Sequence, residues 1–460
     1  MNTFNARYAW TISLAAALGG LLFGYDWVVI GGAKPFYETY FRLTTTRSIG
    51  WANSCALLGC LCGSLLAGWA SDRFGRRKLL LLSAVLFAVS SALTALAGSF
   101  GAFIGWRITG GVAIGIASNV SPTYIAEVSP APWRGRLVAL NQLTIVVGIL
   151  AAQIANWLIA EKVPMNATAE MIRASWNGQY GWRWMFAAVV APSIVFFLAA
   201  LFVPESPRWL VKRAKLAGAR ATLARIGGGK YADDAVAEIR TTLSDDGGTQ
   251  WADLLRPGVV RALGIGIALA VLQQWSGINV IFNYAEEIYR AAGYGVSDVL
   301  FNIVITGAIN LVFTLVALQF VDRVGRRPLM LIGCAAIGMA HFLIGLAYRD
   351  GLHGVPVLML TLFAISGYAM SLAPVTWVLI SEIFPNRVRG RAISISVSAL
   401  WIASFALTYS FPSISKTLGS GGTFWLYAGI CLIGFGFVFW RVPETRGKTL
   451  EQIERELTAA

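Results

Sequence analysis

Long apolar runs, separated by short charged or Gly/Pro-rich segments, fill most of the chain. Runs of about 18 or more apolar residues are long enough to cross the hydrocarbon core of a bilayer as helices. About twelve such runs begin near residues 9, 49, 79, 102, 136, 184, 259, 301, 329, 355, 391 and 423. The pattern predicts an all-α membrane protein with twelve transmembrane helices.

Charged motifs recur at equivalent places in the two halves of the chain. Asp72-Arg73-Phe74-Gly75-Arg76-Arg77 returns as Asp322-Arg323-Val324-Gly325-Arg326-Arg327, and Glu127 with Arg134-Gly135-Arg136 returns as Glu382 with Arg389-Gly390-Arg391. Pro204-Glu205 and Pro443-Glu444 close the two halves. This repeat predicts two six-helix bundles, 1–203 and 258–441, followed by a tail over 442–460.

The segment 204–257 between the bundles is charged and is interrupted by glycines at Gly227-Gly228-Gly229 and Gly247-Gly248. Its composition is typical of short intracellular amphipathic helices that lie against the inner face of a membrane protein. A solvated linker is the alternative interpretation, since charge runs often only face solvent.

Composition and charge agree with the span pattern. Of the 460 residues 57% are hydrophobic and 13% are charged, which excludes a soluble or disordered chain. When the N-terminus is taken as inside, most of the 37 Lys and Arg residues fall on the inner side of the membrane, so both termini are predicted to be cytoplasmic. The net charge of +14 then reflects topology and contact with anionic membrane lipids, and no nucleic-acid partner is predicted.

Motifs of enzymes and of cofactor sites are missing from the sequence. There is no Walker A loop, Gly-x-Ser-x-Gly, His-Glu-x-x-His or Cys-x-x-Cys, and the five cysteines have no metal-ligand spacing. We therefore expect neither an enzyme nor an ATP-driven pump, and neither a cofactor nor a metal.

The repeated charges at the inner ends of the spans are candidates for a cytoplasmic gate. Ion pairs between helix ends can form in one conformation and break in another, as two rocking bundles require. Topology anchors are the alternative interpretation. The predicted gate residues are Asp72, Arg73, Glu127, Arg134, Glu205, Asp322, Arg323, Glu382, Arg389 and Glu444.

Two ionisable residues, Asp26 and Arg107, are predicted to lie deep in the membrane, and they have opposite charge. Charge inside hydrocarbon is costly, so such residues are functional candidates. Their predicted depths allow a pair. The pair is either a structural salt bridge or a proton-coupling device, in which a movable arginine controls protonation of the carboxylate.

Amides and indoles within the spans are candidates for sugar contacts. Amides offer a donor beside an acceptor, which suits vicinal hydroxyls, and indole faces pack on the C–H faces of a sugar ring. Interhelical hydrogen bonding or an aromatic belt is the alternative for any one of them. We expect these amides to be unpaired without ligand and the glycine at 277 to interrupt its helix. The candidates are Gln142, Gln273, Gln274, Asn279, Asn283, Asn310, Trp377 and Trp401.

These features together resemble the sugar porter family of the major facilitator superfamily, in particular bacterial sugar:proton symporters such as the D-xylose symporter. The resemblance covers nearly the whole chain. It is carried by Phe23-Gly24-Tyr25-Asp26, by both Asp-Arg-x-Gly-Arg-Arg loops, by Pro204-Glu205-Ser206-Pro207-Arg208-Trp209-Leu210, by Gln273-Gln274-x-Ser276-Gly277-Ile278-Asn279 and by Pro443-Glu444-Thr445-Arg446-Gly447-Lys448-Thr449-Leu450.

The resemblance implies the major facilitator fold, with Asp26 as proton carrier, Arg107 as its partner and Phe23 near the sugar site; proton-independent facilitators of the family lack that acid. It also implies that the amides and indoles named above contact sugar. Two positions depart from the xylose symporter: Asn283 stands in place of a tyrosine and Leu400 in place of a glutamine. A hexose or another pentose is therefore as well supported as xylose.

The sequence accordingly predicts a multi-pass protein of the inner (plasma) membrane that functions as a monomer and imports a monosaccharide with a proton by alternating access. A proton-independent uniporter with the same site is the first alternative. A sugar sensor is the second, less favoured one.

Overall fold

The protein is helical throughout the part of the chain that the structure, a computed structural model, describes: residues 4–245, 251–385, 388–448 and 452–453. Eleven helical segments in these ranges are long and apolar enough to cross a membrane. The last of them, Arg389–Arg441, is two helices, because Gly419 at φ 69° and ψ 172° breaks it. The twelve predicted spans are thus confirmed.

The N-terminal half contains the first six spans. Its helices are α1 (Ala6–Tyr40), α2 (Thr46–Phe74), α3 (Arg76–Ala95), α4 (Phe100–Val128), α5 (Arg134–Ile159), the short α6 (Ala169–Ala174), α7 (Trp182–Ala187) and α8 (Val190–Phe202). A π-helical turn, Asn177–Gly181, precedes α7, and together with α7 and α8 it forms the sixth span.

The connector between the halves is folded. It contains α9 (Pro207–Lys212), α10 (Leu216–Asp245) and a 3₁₀ turn, Trp251–Leu255. At φ 84°, Gly228 breaks α10 where the glycine run predicts a break, while Gly247-Gly248 lies outside the described residues. Ile226 is fully buried and its carbonyl accepts the backbone N–H of Asn5 at 2.7 Å. This packing favours the amphipathic-helix interpretation over a solvated linker.

The C-terminal half repeats the architecture of the first. Its helices are α11 (Pro257–Trp275), α12 (Ile278–Asn283), α13 (Ala285–Ala291), α14 (Val296–Val324), α15 (Arg326–Arg349), α16 (Val355–Met370), α17 (Leu372–Glu382) and α18 (Arg389–Arg441). Gly277, at φ 86°, separates α11 from α12, so the predicted interruption of this span is confirmed. Ser371 likewise separates α16 from α17.

Close backbone contact between α1 and α5 positions two walls of the central cavity. A Cβ atom on Gly24 would lie 1.9 Å from the carbonyl oxygen of Ile145, and one on Gly148 would lie 2.0 Å from that of Leu21. Only glycine permits such an approach, as is common between membrane helices. The approach brings the neighbouring Phe23 and Gln142 to the same cavity.

The two ends of the bundle differ. The connector, the start of α1 and the loops α2–α3 and α14–α15 share one end, which we call the connector end; Phe4 beside α1 packs on Tyr231 of α10 with ring centroids 5.2 Å apart. The other end, the distal end, carries the α1–α2 and α3–α4 loops and the short α13.

Candidate functional site

A cavity of about 260 Å³ lies between the two halves. This volume falls just below the roughly 300–1,000 Å³ of pockets for drug-sized ligands, so the cavity suits a smaller molecule. Eight of the nine substrate-site candidates line it: Phe23, Gln142, Gln273, Gln274, Asn279, Asn310, Trp377 and Trp401. Helices of both halves therefore contribute to one site.

Asn283 is the candidate that does not line the cavity. It ends α12 and is 3% exposed, and its backbone lies against α1, with its Cα 3.7 Å from the position of a Cβ on Gly31. Its Oδ1 is buried without a hydrogen-bond partner. The structure thus places Asn283 between the halves, away from the other candidates.

The amides around the break at Gly277 are hydrogen-bonded to one another. Gln273 Nε2 donates to the carbonyls of Leu372 and Ala373 at 3.3 Å, Gln274 Nε2 donates to Gln273 Oε1 at 3.3 Å, and Asn279 Nδ2 donates to Gln274 Oε1. The expectation that these amides are unpaired without ligand is therefore wrong for all three. The chain of amides joins α11 and α12 to the start of α17, so both helix breaks meet at the cavity wall.

Three buried polar atoms of cavity-lining residues do lack a partner within the described residues. They are the indole Nε1 of Trp401, which is a donor, Oδ1 of Asn141, which is an acceptor, and the hydroxyl oxygen of Thr314, which can do both. An unpaired polar group in a dry environment is costly, and the hydroxyl groups of a ligand can donate to or accept from such groups. Sequence reasoning missed Asn141, although an amide within an apolar span beside Gln142 was a usable signal.

Other cavity residues that the sequence analysis did not select include Trp27, Phe282 and Tyr368. Aromatic pairs cover the distal side of the cavity: Phe23 with Trp401, and Trp27 with Phe282, each with ring centroids 6.0 Å apart. On the other side, Trp377 of α17 is 38% exposed. Two aromatic pairs therefore line the cavity on its distal side, and a partly exposed indole lines it on the other.

Asp26 and Arg107 form the predicted pair. Arg107 Nη1 donates to Asp26 Oδ1 at 2.8 Å and Nη2 donates to the Asp26 backbone carbonyl at 3.2 Å. The side chains are 1% and 3% exposed, and the guanidinium lies over the Phe186 ring at 5.3 Å. Asp26 Oδ2 is buried and has no hydrogen-bond partner among the residues that the structure describes.

A further ionisable residue of the N-terminal half is buried inside the protein, nearer the distal end than Asp26. Helix α1 continues to Tyr40 and includes Lys34, which is 1% exposed. Lys34 contacts Glu38 of α1 and both Glu286 and Glu287 of α13. Sequence reasoning missed Lys34 because a charge followed by Pro35 reads as the end of a span.

At the connector end of the N-terminal half, Arg76 is the centre of an ion network. Its guanidinium contacts Glu127 at 3.0 Å and Asp72 at 3.1 Å, and its backbone N–H donates to Glu205 at 2.8 Å. Asp72 also pairs with Lys212 of the connector at 2.7 Å. Three predicted carboxylates therefore meet at an arginine that was not predicted.

Arg73 and Arg134 were predicted for this network, and in the described part of the chain neither makes an ion pair. Arg73 instead lies over the rings of Trp69 and Phe74, at 5.5 and 5.6 Å. Since Gly75 ends α2 and Arg76 begins α3, the turn directs Arg76 toward Glu127.

The C-terminal half carries a matching network around Arg326. Its guanidinium contacts Glu382 at 3.2 Å and its backbone N–H donates to Glu444 at 3.1 Å. Arg389 donates to the carbonyl of Phe384 at 3.1 Å. Arg323 makes no ion pair among the described residues, and the side chain of Asp322 lies outside them. As in the first half, the network forms around the arginine that begins the next helix, here Arg326, and not around the predicted Arg323.

Comparison with known proteins identifies close relatives of this chain. The family model described as "Sugar (and other) transporter" matches residues 12–457. The chain is 39% identical to the D-xylose-proton symporter of Escherichia coli (strain K12), over 99% of this chain and 97% of the relative. It is also 39% identical to the glucose transport protein of Synechocystis sp., over 98% of each chain.

Among solved structures, the xylose transporter XylE from E. coli in an inward open conformation superposes with a TM-score of 0.85. It is 38% identical to this chain, and the match covers 98% of this chain and 100% of the other. The predicted fold class is confirmed by this match.

Proposed function

This chain belongs to the sugar transporter family and is a multi-pass membrane transporter and not an enzyme, and we propose that it imports a monosaccharide together with a proton by alternating access. One observation carries this proposal: a cavity of amides and indoles lies between the halves, and Asp26 of the buried Asp26–Arg107 pair lies on the same α1 that supplies Phe23 to that cavity.

The cavity chemistry supports a small polyhydroxyl substrate. Gln142, Asn279 and Asn310 offer side-chain amides, and Trp377 and Trp401 offer indole faces for an apolar ring surface. Relatives named for xylose and for glucose are equally similar to this chain. The proposal therefore covers pentoses and hexoses.

Proton coupling is proposed for Asp26. A buried carboxylate is kept ionised by its arginine, and movement of Arg107 would leave an unpaired charge that a proton neutralises. Each proton that enters down a potential of 100 mV supplies about 2.3 kcal/mol, which supports roughly 50-fold sugar accumulation. The E. coli relative is named as a proton symporter.

The ion networks centred on Arg76 and Arg326 are proposed to act at the cytoplasmic gate. Each joins the ends of several helices within its own half, so each half can move as a rigid body. When the cavity closes toward the connector end, the two networks are brought toward each other. We assign the present arrangement to an inward-facing state, since Trp377 is exposed and the distal side is covered.

The connector end is proposed to be cytoplasmic, which places both termini inside and leaves the cationic residues of that end beside anionic inner-leaflet lipids. The protein is proposed to reside in the plasma membrane and to function as a monomer, because the cavity is completed by the two halves of one chain.

A sugar panel in proteoliposomes tests the proposed function. Purified protein is reconstituted, the vesicles are loaded with unlabelled pentoses or hexoses, and counterflow of the labelled sugar is measured. We expect counterflow with at least one monosaccharide and sugar-dependent proton entry in the same vesicles. Failure with every monosaccharide would overturn the proposal.

A further inference from the structure

A buried cluster of charges, separate from Asp26, lies at the distal end. Lys34 Nζ is 3.1 Å from Glu38 and 3.5 Å from Glu286, and it also contacts Glu287. We call these four residues the Lys34 cluster. Arg290 is the further cation, 2.9 Å from Glu286 and half exposed.

Charge is not balanced in this cluster. Lys34 and Arg290 supply two positive charges, and Glu38, Glu286 and Glu287 supply three carboxylates. The remaining groups packed around it are Tyr37, Tyr284 and Asn53; Lys34 lies 5.6 Å from the centre of the Tyr284 ring. The Glu287 side chain is 35% exposed, but its Oε2 is buried and has no hydrogen-bond partner among the described residues. One carboxylate is therefore in excess in a partly buried site.

The Lys34 cluster joins the two halves. Lys34 and Glu38 belong to α1, whereas Glu286 and Glu287 belong to α13. Backbone contact continues beside it, since a Cβ on Gly31 would lie 2.6 Å from the Phe282 carbonyl oxygen. The backbone N–H of Val163 also donates to Ser297 across the halves at 3.0 Å. The distal end cannot open without separating Lys34 from α13.

We propose that the Lys34 cluster is an outer gate that closes with uptake of one proton on Glu287, a proton site separate from Asp26. The proposal rests on the alternating-access function proposed above. It adds a second place where the pH outside the cell acts on the transport cycle.

Burial is the main cause that raises the pKa of Glu287; Lys34 opposes this, Glu286 and Glu38 add to it, and the result is about 8. With the gate open, α13 faces water and the carboxyl returns toward its ordinary value of 4.5. Between these two pH values closing takes up a proton, so the ratio of closed to open gate falls by up to about tenfold per pH unit as pH rises. Above about pH 8 the carboxyl is ionised in both states and the dependence ends.

Spin labels across the distal end test the gate. Leu96, in the α3–α4 loop, is 74% exposed, and Leu352, in the α15–α16 loop, is 50% exposed. Both are changed to cysteine in a background of Cys62→Ser, because Cys62 is the exposed native cysteine in the described residues. The full chain is placed in lipid nanodiscs, and the label–label distance distribution is recorded from pH 5 to pH 9.

Three variants assign the pH dependence. Glu287→Gln keeps the size of the side chain and removes its titration, so we expect a gate that stays closed at pH 8 with no slope. Asp26→Asn removes the proposed proton carrier and should retain the part of the slope that belongs to Glu287. Glu170→Gln is the matched control, since Glu170 also carries an acid at the distal end, is 79% exposed and pairs only loosely with Arg173 at 3.8 Å; it should retain the slope too.

If the closed-to-open ratio depended on pH equally in Glu287→Gln and in Glu170→Gln, the proposal would be overturned. It would also be overturned if this pH dependence disappeared only in Asp26→Asn. Glu287→Asp keeps a titrating group, and restoration of the slope by this variant separates titration from simple loss of packing. If the unmodified protein transports sugar in vesicles but its label distances do not change with pH, the gate proposal fails and the proposed function stands. If no monosaccharide is transported, the proposed function fails by itself.

Discussion

Arg107 and Asp26 are joined by a hydrogen bond of 2.8 Å while the second carboxylate oxygen of Asp26 has no partner. The guanidinium therefore contacts only one oxygen of the carboxylate. This arrangement differs from a two-pronged salt bridge, in which both oxygens are occupied. The relationship leads directly to a test of proton coupling.

Asp26→Asn removes the proposed proton carrier without changing its size. We expect it to abolish sugar accumulation driven by a pH gradient and to retain sugar binding and exchange, because the cavity residues are unchanged. The unmodified protein should alkalinise the medium when sugar is added to energy-depleted cells. Absence of that alkalinisation, together with full downhill transport by Asp26→Asn, would make the protein a facilitator.

Asn279→Ala removes an amide that lines the cavity and donates to Gln274. We expect sugar binding to weaken by about 1–3 kcal/mol, the usual cost of an unpaired polar group. Asn283→Ala is the matched control on the same short helix, since Asn283 does not line the cavity. Equilibrium binding by calorimetry compares the two. If both variants lost the same sugar affinity, Asn283 would belong to the binding site. If neither variant lost affinity, the sugar would bind elsewhere.

Arg76→Gln removes the centre of the first ion network and leaves Glu127 and Asp72 without that partner. We expect slower transport and a shift of cysteine labelling toward the inward-open pattern, with little change in intrinsic affinity, because the gate and not the cavity is altered. Arg73→Gln removes the same charge from the same loop, and Arg73 stacks on rings instead of pairing with an acid. If the engineered cysteines were labelled equally in the two variants, the network would act as a topology anchor and not as a gate.

Gly24→Ala places a Cβ atom where the Ile145 carbonyl oxygen would be 1.9 Å away. The backbones of α1 and α5 must separate, and overpacking of this kind costs about 1–3 kcal/mol. Gly105→Ala is the control, because a Cβ there meets no atom within 4 Å and alanine is the better helix former. Thermal unfolding in detergent should show a lower Tm for Gly24→Ala alone. An unchanged Tm would mean that the two helices can move apart freely.

Hydropathy by itself determined the number of spans, since a helix that faces lipid must be apolar over its whole length. The break at Gly277 was also predictable, because glycine beside polar residues within an apolar span is rare except at a cavity. The Asp26–Arg107 pair was predictable because an unpaired charge in the membrane is costly, so two opposite charges at similar depth are most stable when they meet. These features depend only on local sequence and on the membrane as solvent.

Only the tertiary structure decided which neighbours the other charges meet. Lys34 reads as the end of a span, and two of its three carboxylate partners come from the other half of the chain, so its burial depends on packing of α1 against α13. Arg73 and Arg76 carry the same charge within one motif, but the turn at Gly75 directs Arg76 toward Glu127. Asn283 likewise shares a short helix with Asn279, and only the docking of α12 beside α1 removes it from the cavity.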